Sequence, residues 1–218
     1  MINLNQEWIK PKKPIPIVIF GAGSIANDAH LPAYEKSGFK VLGIYDPDIE
    51  KAQNLATKFN LNIFHSLEEA IDQENVIFDL ATPPEVHTEI LKFLPEKSGV
   101  LIQKPMGSNL DEATKILEIC NTRSLKAAVN FQLRFAPMMI ALKDAINSGL
   151  LGKIVDFDAW LALDTPWSLW KFLENLPRVE ILLHSIHYFD FIRSILGDPN
   201  GVKAKTLGFP GEKTSNTR

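Results

Sequence analysis

The chain has 218 residues, 45% of them apolar and 22% charged, the balance of a folded globular protein and not of a disordered one. Its net charge of −3, from 26 acidic and 23 basic residues, argues against a general nucleic-acid or membrane-surface binder, which needs a basic patch. The single cysteine, Cys120, permits no internal disulfide and fits a reducing, cytoplasmic setting, and no apolar run is long enough to span a membrane.

Lys12 and Lys13 precede an apolar run, as in a secretory signal, but Pro14 and Pro16 interrupt it and a buried strand accounts for it better. That strand ends at Phe20. Gly21, Gly23 and Ala26 follow at the spacing G-x-G-x-x-A. In a strand-to-helix bend the first small residue permits the turn and the second lets backbone approach a pyrophosphate. The third lets helix and strand pack closely. A helix is predicted over residues 24–37, broken or restarted at Pro32. Lys40 to Tyr45 reads as the second strand, closed by Asp46, twenty-five positions after Gly21. Asp48 is placed to cap a helix over residues 49–59, and Ser66 a short one to Asp72, with Glu69 at capping-box spacing. Strands are predicted at 62–64, 76–80, 99–102 and 126–129, with helices at 86–94 and 110–121 between them. Cys120 falls in an apolar helical stretch and reads as a small buried hydrophobe.

This alternation predicts an α/β fold, a Rossmann-type doubly wound parallel sheet over residues 1–135. An incomplete α+β second domain is expected over residues 136–218. Ligands bind such sheets at the strand C-termini, so the residues after each strand carry the information. Gly21, Gly23, Ser24 and Ile25 form the bend, whose free helix amides suit phosphate oxygens. Asp46 is placed for the adenosine ribose hydroxyls, and reads alternatively as a turn residue before Pro47. Its charge repels a 2′-phosphate, so NAD is favoured over NADP. Thr82 and Pro83 follow the fourth strand, Gln103 and Lys104 the fifth, and Arg134 the sixth.

Four motifs together resemble the oxidoreductases grouped with glucose–fructose oxidoreductase and myo-inositol dehydrogenase. They are Gly21-Ala-Gly-Ser-Ile-Ala26 with His30-Leu-Pro, Ala81-Thr-Pro-Pro-Glu-Val-His87, Gln103-Lys-Pro105, and His187 with Asp190. The likeness runs from about Ile15 to Pro199 in order and spacing. It implies a two-domain NAD(P)-dependent dehydrogenase acting on a sugar, sugar acid or polyol. Lys104 would lie beside the substrate oxygen and His187 would act as the base. Thr82, Pro83, His87, Gln103 and Arg134 would join the bend in holding cofactor, His87 reading equally as an exposed residue on a first helical turn. His184 and Trp167 are further substrate candidates. Two positions depart from the family pattern: Gln103 stands where Glu is usual, and Leu183 where the dehydrogenases often carry Asp. A catalytically silent nucleotide-binding member is the alternative. Asp190 is placed to orient the His187 ring. A metal site on His184, His187 and Asp190 is the lesser reading, since helical zinc histidines typically stand four apart, and none is expected.

In the second domain a helix is predicted over 137–148, strands over 154–163 and 202–207, and a long helix over 179–196 that carries His187. Trp160, Trp167 and Trp170 read as loop anchors, with stacking on a sugar ring as the rival. Two strands make a marginal ribbon whose open edge invites a partner, so the expectation is either a C-terminally truncated member or a sheet completed by partner chains, as in a homo-oligomer through that sheet.

Overall fold

The computed structural model describes residues 2–163, 165 and 179–205. Their packing gathers Pro11–Asn130 into one compact unit, and the described parts of Met1–Lys10 and Phe131–Arg218 into another.

In the first unit, β1 (Ile17–Phe20), β2 (Val41–Tyr45), β3 (Asn62–Ile63), β4 (Ile77–Leu80), β5 (Gly99–Ile102) and β6 (Lys126–Val129) form one sheet. Its order is β3-β2-β1-β4-β5-β6, and every pairing is parallel. Chain direction across the sheet reverses between β1 and β4, so the crevice at their C-terminal ends is where such folds take ligands. The central strand is buried on both sides, and its period of two splits it between two cores. Val18 and Phe20 pack with Phe78, Leu80, Val100 and Ile102 under Leu91, Leu94, Ile116 and Cys120. Ile17 and Ile19 pack on the other face with Ala26, Leu31, Ile44, Ala52 and Leu55. Each fully buried side chain of this size contributes about 1.5–3 kcal/mol. Cys120 is buried as its sequence context suggests, and desolvation pushes its thiol pKa up.

The helices of this unit are α1 (Leu31–Ser37), α2 (Ile49–Phe59), α3 (Leu67–Ile71), α4 (His87–Phe93) and α5 (Leu110–Thr122). Three start on side-chain caps. Asp48 accepts from Lys51 N–H, Ser66 from Glu69 N–H at 3.1 Å, and Asn109 from Glu112 N–H at 2.9 Å. Glu69 and Glu112 reach back to the N–H of His65 and Ser108, one residue before the cap. Asn109→Ala is expected to cost about 1 kcal/mol, read as a lowered urea midpoint with unchanged slope.

The first helix changes winding at the expected place: residues 24–37 stay helical without a break, and a wide π turn at Ala26–His30 gives way to α1, which starts at Leu31 with Pro32 in its first turn. Proline lacks an N–H and its ring crowds the carbonyl four residues back, and a widened turn relieves both.

The second unit contains α6 (Pro137–Asn147), then a π turn at Ile181–Ser185 leading into α7 (Ile186–Leu196). The unit boundary falls ahead of the expected one at residue 135, because the short turn Gln132–Phe135 packs on α7. The N-terminal arm joins the same unit: Trp8 meets Phe135 edge-on, and Asn5 N–H donates to Asp144 at 2.9 Å. Two predicted strands are corrected. Residues 154–163 form none, for no described segment pairs with their backbone, and Val155 and Trp160 stand 87% and 90% exposed. Residues 202–205 form none either, and 206–207 lie outside the described residues. The sheet expected to carry an oligomer contact is therefore not formed among the described residues. Among these, no helix is long and apolar enough to cross a membrane.

Candidate functional site

The bend after β1 is set by Gly21. Its φ of +99° belongs to glycine, its N–H donates to Tyr45 O at 2.7 Å, and a Cβ there would lie 2.5 Å from Ala81 O. One strand over, the Asp46 carboxylate accepts from Ala22 N–H at 2.7 Å and from Asp48 N–H at 2.8 Å, holding bend and β2 together. Gly23 and Ser24 are exposed and Ile25 is half-buried, whereas Ala26 is fully buried against the sheet. A Cβ built on Gly23 would meet open space. The helix starting at Ser24 points its first amides, which have no intrahelical acceptor, and the positive end of its dipole toward that space. Room without a side chain, free N–H groups and a carboxylate beside them fit a dinucleotide diphosphate and its ribose.

The loops after β4 and β5 line the same end of the sheet. Thr82 is half-buried, and its hydroxyl oxygen is buried with no hydrogen-bond partner among the described residues. Pro83 is exposed. His87 is fully buried, which overturns the exposed reading. Its Nε2 lies 3.0 Å from Thr82 O and its Nδ1 3.1 Å from Met106 O, so the ring ties the two loops to each other. Desolvation is the largest influence on that ring and pulls its pKa down. Gln103 is also buried and also turned inward, its carbonyl oxygen accepting from Lys104 N–H at 2.7 Å. Both side chains make contacts that shape these loops, and His87, fully buried, has no surface left for the direct cofactor contact expected from sequence. Lys104 is half-buried ahead of a cis bond to Pro105, and desolvation holds its ammonium pKa below the ordinary lysine range.

In the second unit His187 is buried, with Phe131 edge-on at 6.1 Å. Arg134 makes a two-point ion pair with Asp190, one of its bonds 2.6 Å long, and that pairing raises the guanidinium pKa further. Asp190, expected to orient the His187 ring, and Arg134, expected at the cofactor, hold each other. His184 Nδ1 sits 2.7 Å from Glu180, which also accepts from Ser185 Oγ at 3.2 Å. Trp167 and Trp170 lie outside the described residues. Among the described residues no group of three or more His, Cys, Asp or Glu is placed to hold a metal ion.

One cluster escaped the sequence reading. Asp79, fully buried in β4, accepts from Tyr34 OH at 2.8 Å and pairs with His30 Nδ1 at 2.7 Å. His30 Nε2 in turn lies 3.0 Å from Gln103 Nε2 and 3.1 Å from Asn130 Nδ2. Burial, followed by Asp79, drives the Tyr34 hydroxyl pKa well upward. The signal was present: a carboxylate inside the apolar run Val76-Ile-Phe-Asp-Leu80 is anomalous for a strand buried on both faces.

The family model described as an oxidoreductase family with an NAD-binding Rossmann fold matches residues 15–131, more than half of the chain. The chain belongs to that family. Its sheet is the family's NAD-binding domain. Over 203 residues it is 30% identical to the trans-1,2-dihydrobenzene-1,2-diol dehydrogenase of Mus musculus, covering 87% of this chain and 59% of that one. Over 141 residues it is 30% identical to the glucose-6-phosphate 3-dehydrogenase of Bacillus subtilis, covering 64% and 40%. The crystal structure of the WlbA dehydrogenase from Bordetella pertussis, in complex with NADH and UDP-GlcNAcA, matches with a TM-score of 0.74. It does so at 20% identity, over 94% of this chain and 64% of that one, and the likeness is one of fold. The chain spans about half the length of the curated relatives it matches.

Proposed function

We propose that the chain binds NAD at the bend after β1 and serves in a dehydrogenase that oxidises a CH–OH carbon of a sugar, sugar acid or polyol. One observation carries the reading: open space over Gly23, faced by free helix amides, stands beside an Asp46 carboxylate fixed one strand away. The names of two relatives support the substrate class, one being a sugar phosphate dehydrogenase and the other a diol dehydrogenase.

Bound NAD supplies a hydride acceptor. The chain's own residues do the rest. Amides of Ser24 and Ile25 hold the diphosphate, Asp46 grips the ribose, and Thr82 and Pro83 border the nicotinamide side. The Lys104 ammonium stabilises negative charge growing on the substrate oxygen, an effect that a half-buried site strengthens. His187 receives the hydroxyl proton, imidazole being the side chain suited to that task near neutrality. His184 and Trp167 are assigned to the substrate.

Asp46 also decides between the two pyridine nucleotides. Asp46→Arg is expected to weaken NAD binding by about tenfold to a hundredfold, the worth of one or two charge-assisted hydrogen bonds, and to improve NADP binding relative to it. Titration calorimetry with both nucleotides measures this, with thermal unfolding run alongside because Asp46 also accepts two backbone N–H groups. The wider test mixes protein, NAD and a panel of aldoses, uronic acids and inositols, and follows reduced nicotinamide absorbance. No binding heat with either nucleotide would sink the reading.

A further inference from the structure

Burying Asp79, His30 and Gln103 in one cluster is a poor way to stabilise a fold, because apolar side chains of the same size usually do better. The cost is visible, since Asp79 Oδ1 is buried with no hydrogen-bond partner among the described residues. What the cluster delivers is direction. A carboxylate only accepts, so His30 must donate from Nδ1 to Asp79 Oδ2; the Lys104 N–H only donates, so it takes the Gln103 oxygen and turns the Gln103 nitrogen to His30 Nε2, which must accept. An amide nitrogen only donates, so Gln103 Nε2 and Asn130 Nδ2 both point their hydrogens at that lone pair. With its nitrogen committed to His30, the Gln103 amide can turn only its oxygen outward, and that oxygen takes the Lys104 N–H at 2.7 Å. Flipping the amide would set acceptor against acceptor at His30 and donor against donor at Lys104.

We propose that His30 is a positioning residue for Lys104, acting through Gln103, with Asp79 fixing its tautomer. The chain of bonds runs Asp79, His30, Gln103, Lys104 N–H, and it fixes the backbone from which the lysine side chain leaves the end of β5. The proposal also accounts for glutamine at 103: a carboxylate there would face the His30 lone pair. It rests on the reading that places Lys104 in the chemistry.

The test compares His30→Ala with Tyr34→Phe. Both remove a bond to the same buried carboxylate, but only the first breaks the chain to Lys104. Should His30→Ala fail to fold, Gln103→Met keeps side-chain length, removes the amide and carries the same comparison. Expected for the chain-breaking variant are a kcat lowered by about a hundredfold, as for small misplacements of a reacting group, with NAD affinity and KM within about twofold. Its Lys104 amide hydrogen exchanges faster than in the wild type. Tyr34→Phe lowers Tm and leaves kcat and that exchange rate in place. A kcat loss no greater than that of Tyr34→Phe would overturn the proposal, as would a neutral His30 carrying its proton on Nε2 in nitrogen NMR. If the wild type oxidises none of the polyols, the functional reading falls separately, and the exchange rates and the tautomer still decide whether His30 positions Lys104.

Discussion

Gly21→Ala is expected to abolish NAD binding and to destabilise the nucleotide-binding unit by about 2–4 kcal/mol, combining strain at positive φ with a backbone collision. The collision cannot be relieved cheaply. The new methyl group would sit 2.5 Å from Ala81 O and 3.0 Å from Thr82 Cγ2, and Ala81 directly follows a core strand. Moving Gly21 away instead would break its N–H bond to Tyr45 O. Gly23→Ala is the informative contrast. Its methyl group meets nothing in the protein, so the urea midpoint holds to within about 0.5 kcal/mol while NAD affinity drops, because the added carbon occupies the approach of the phosphates. Equal stability losses in the two variants would mean that the space over Gly23 is not a ligand site.

Lys104→Met is expected to lower turnover by about a hundredfold to a thousandfold, the usual scale for one electrostatic stabiliser, with NAD affinity little changed. The pH profile checks the charge itself. Desolvation holds the Lys104 pKa below its ordinary range, and in the proposed role the protonated form does the stabilising, so turnover is expected to fall as pH rises through that lowered value. The alkaline limb of kcat should therefore lie below the ordinary lysine pKa of about 10.4. Lys104→Arg, whose charge persists at every accessible pH, should flatten that limb even where it lowers the plateau. A limb unmoved by Lys104→Arg would assign it to another group.

Much of the nucleotide-binding unit was legible because its signals are local. Small residues at Gly21, Gly23 and Ala26, caps at Asp48 and Ser66, and apolar runs of strand length each act within a few positions of sequence. The second unit was less so. Ile154 to Leu163 has strand-like composition, but a strand exists only through its partner, and composition says nothing about whether one is there. The site divides the same way. The position of Asp46, after β2 and beside the bend, was readable from its distance to the glycines. The roles of Gln103, His87 and Arg134 were not, because each depends on a group far away in the chain: His30 for Gln103, Met106 for His87, Asp190 for Arg134. Residue type showed that these side chains seek hydrogen bonds, and only the fold shows with whom.

The widened turn at Ala26–His30 bears on how this segment tolerates length changes. It stores one more residue than a regular coil of helix would, and His30 is its last member. Deleting a single residue between Ala26 and Asp28 would tighten it to the ordinary winding and swing the azimuth of the upstream amides against His30 by about 100°. Either the phosphate-facing end or the imidazole would then lose its aim. A surplus residue ahead of a proline thus works as a phase adjuster, letting one helix address a ligand at its tip and a buried carboxylate a turn and a half later.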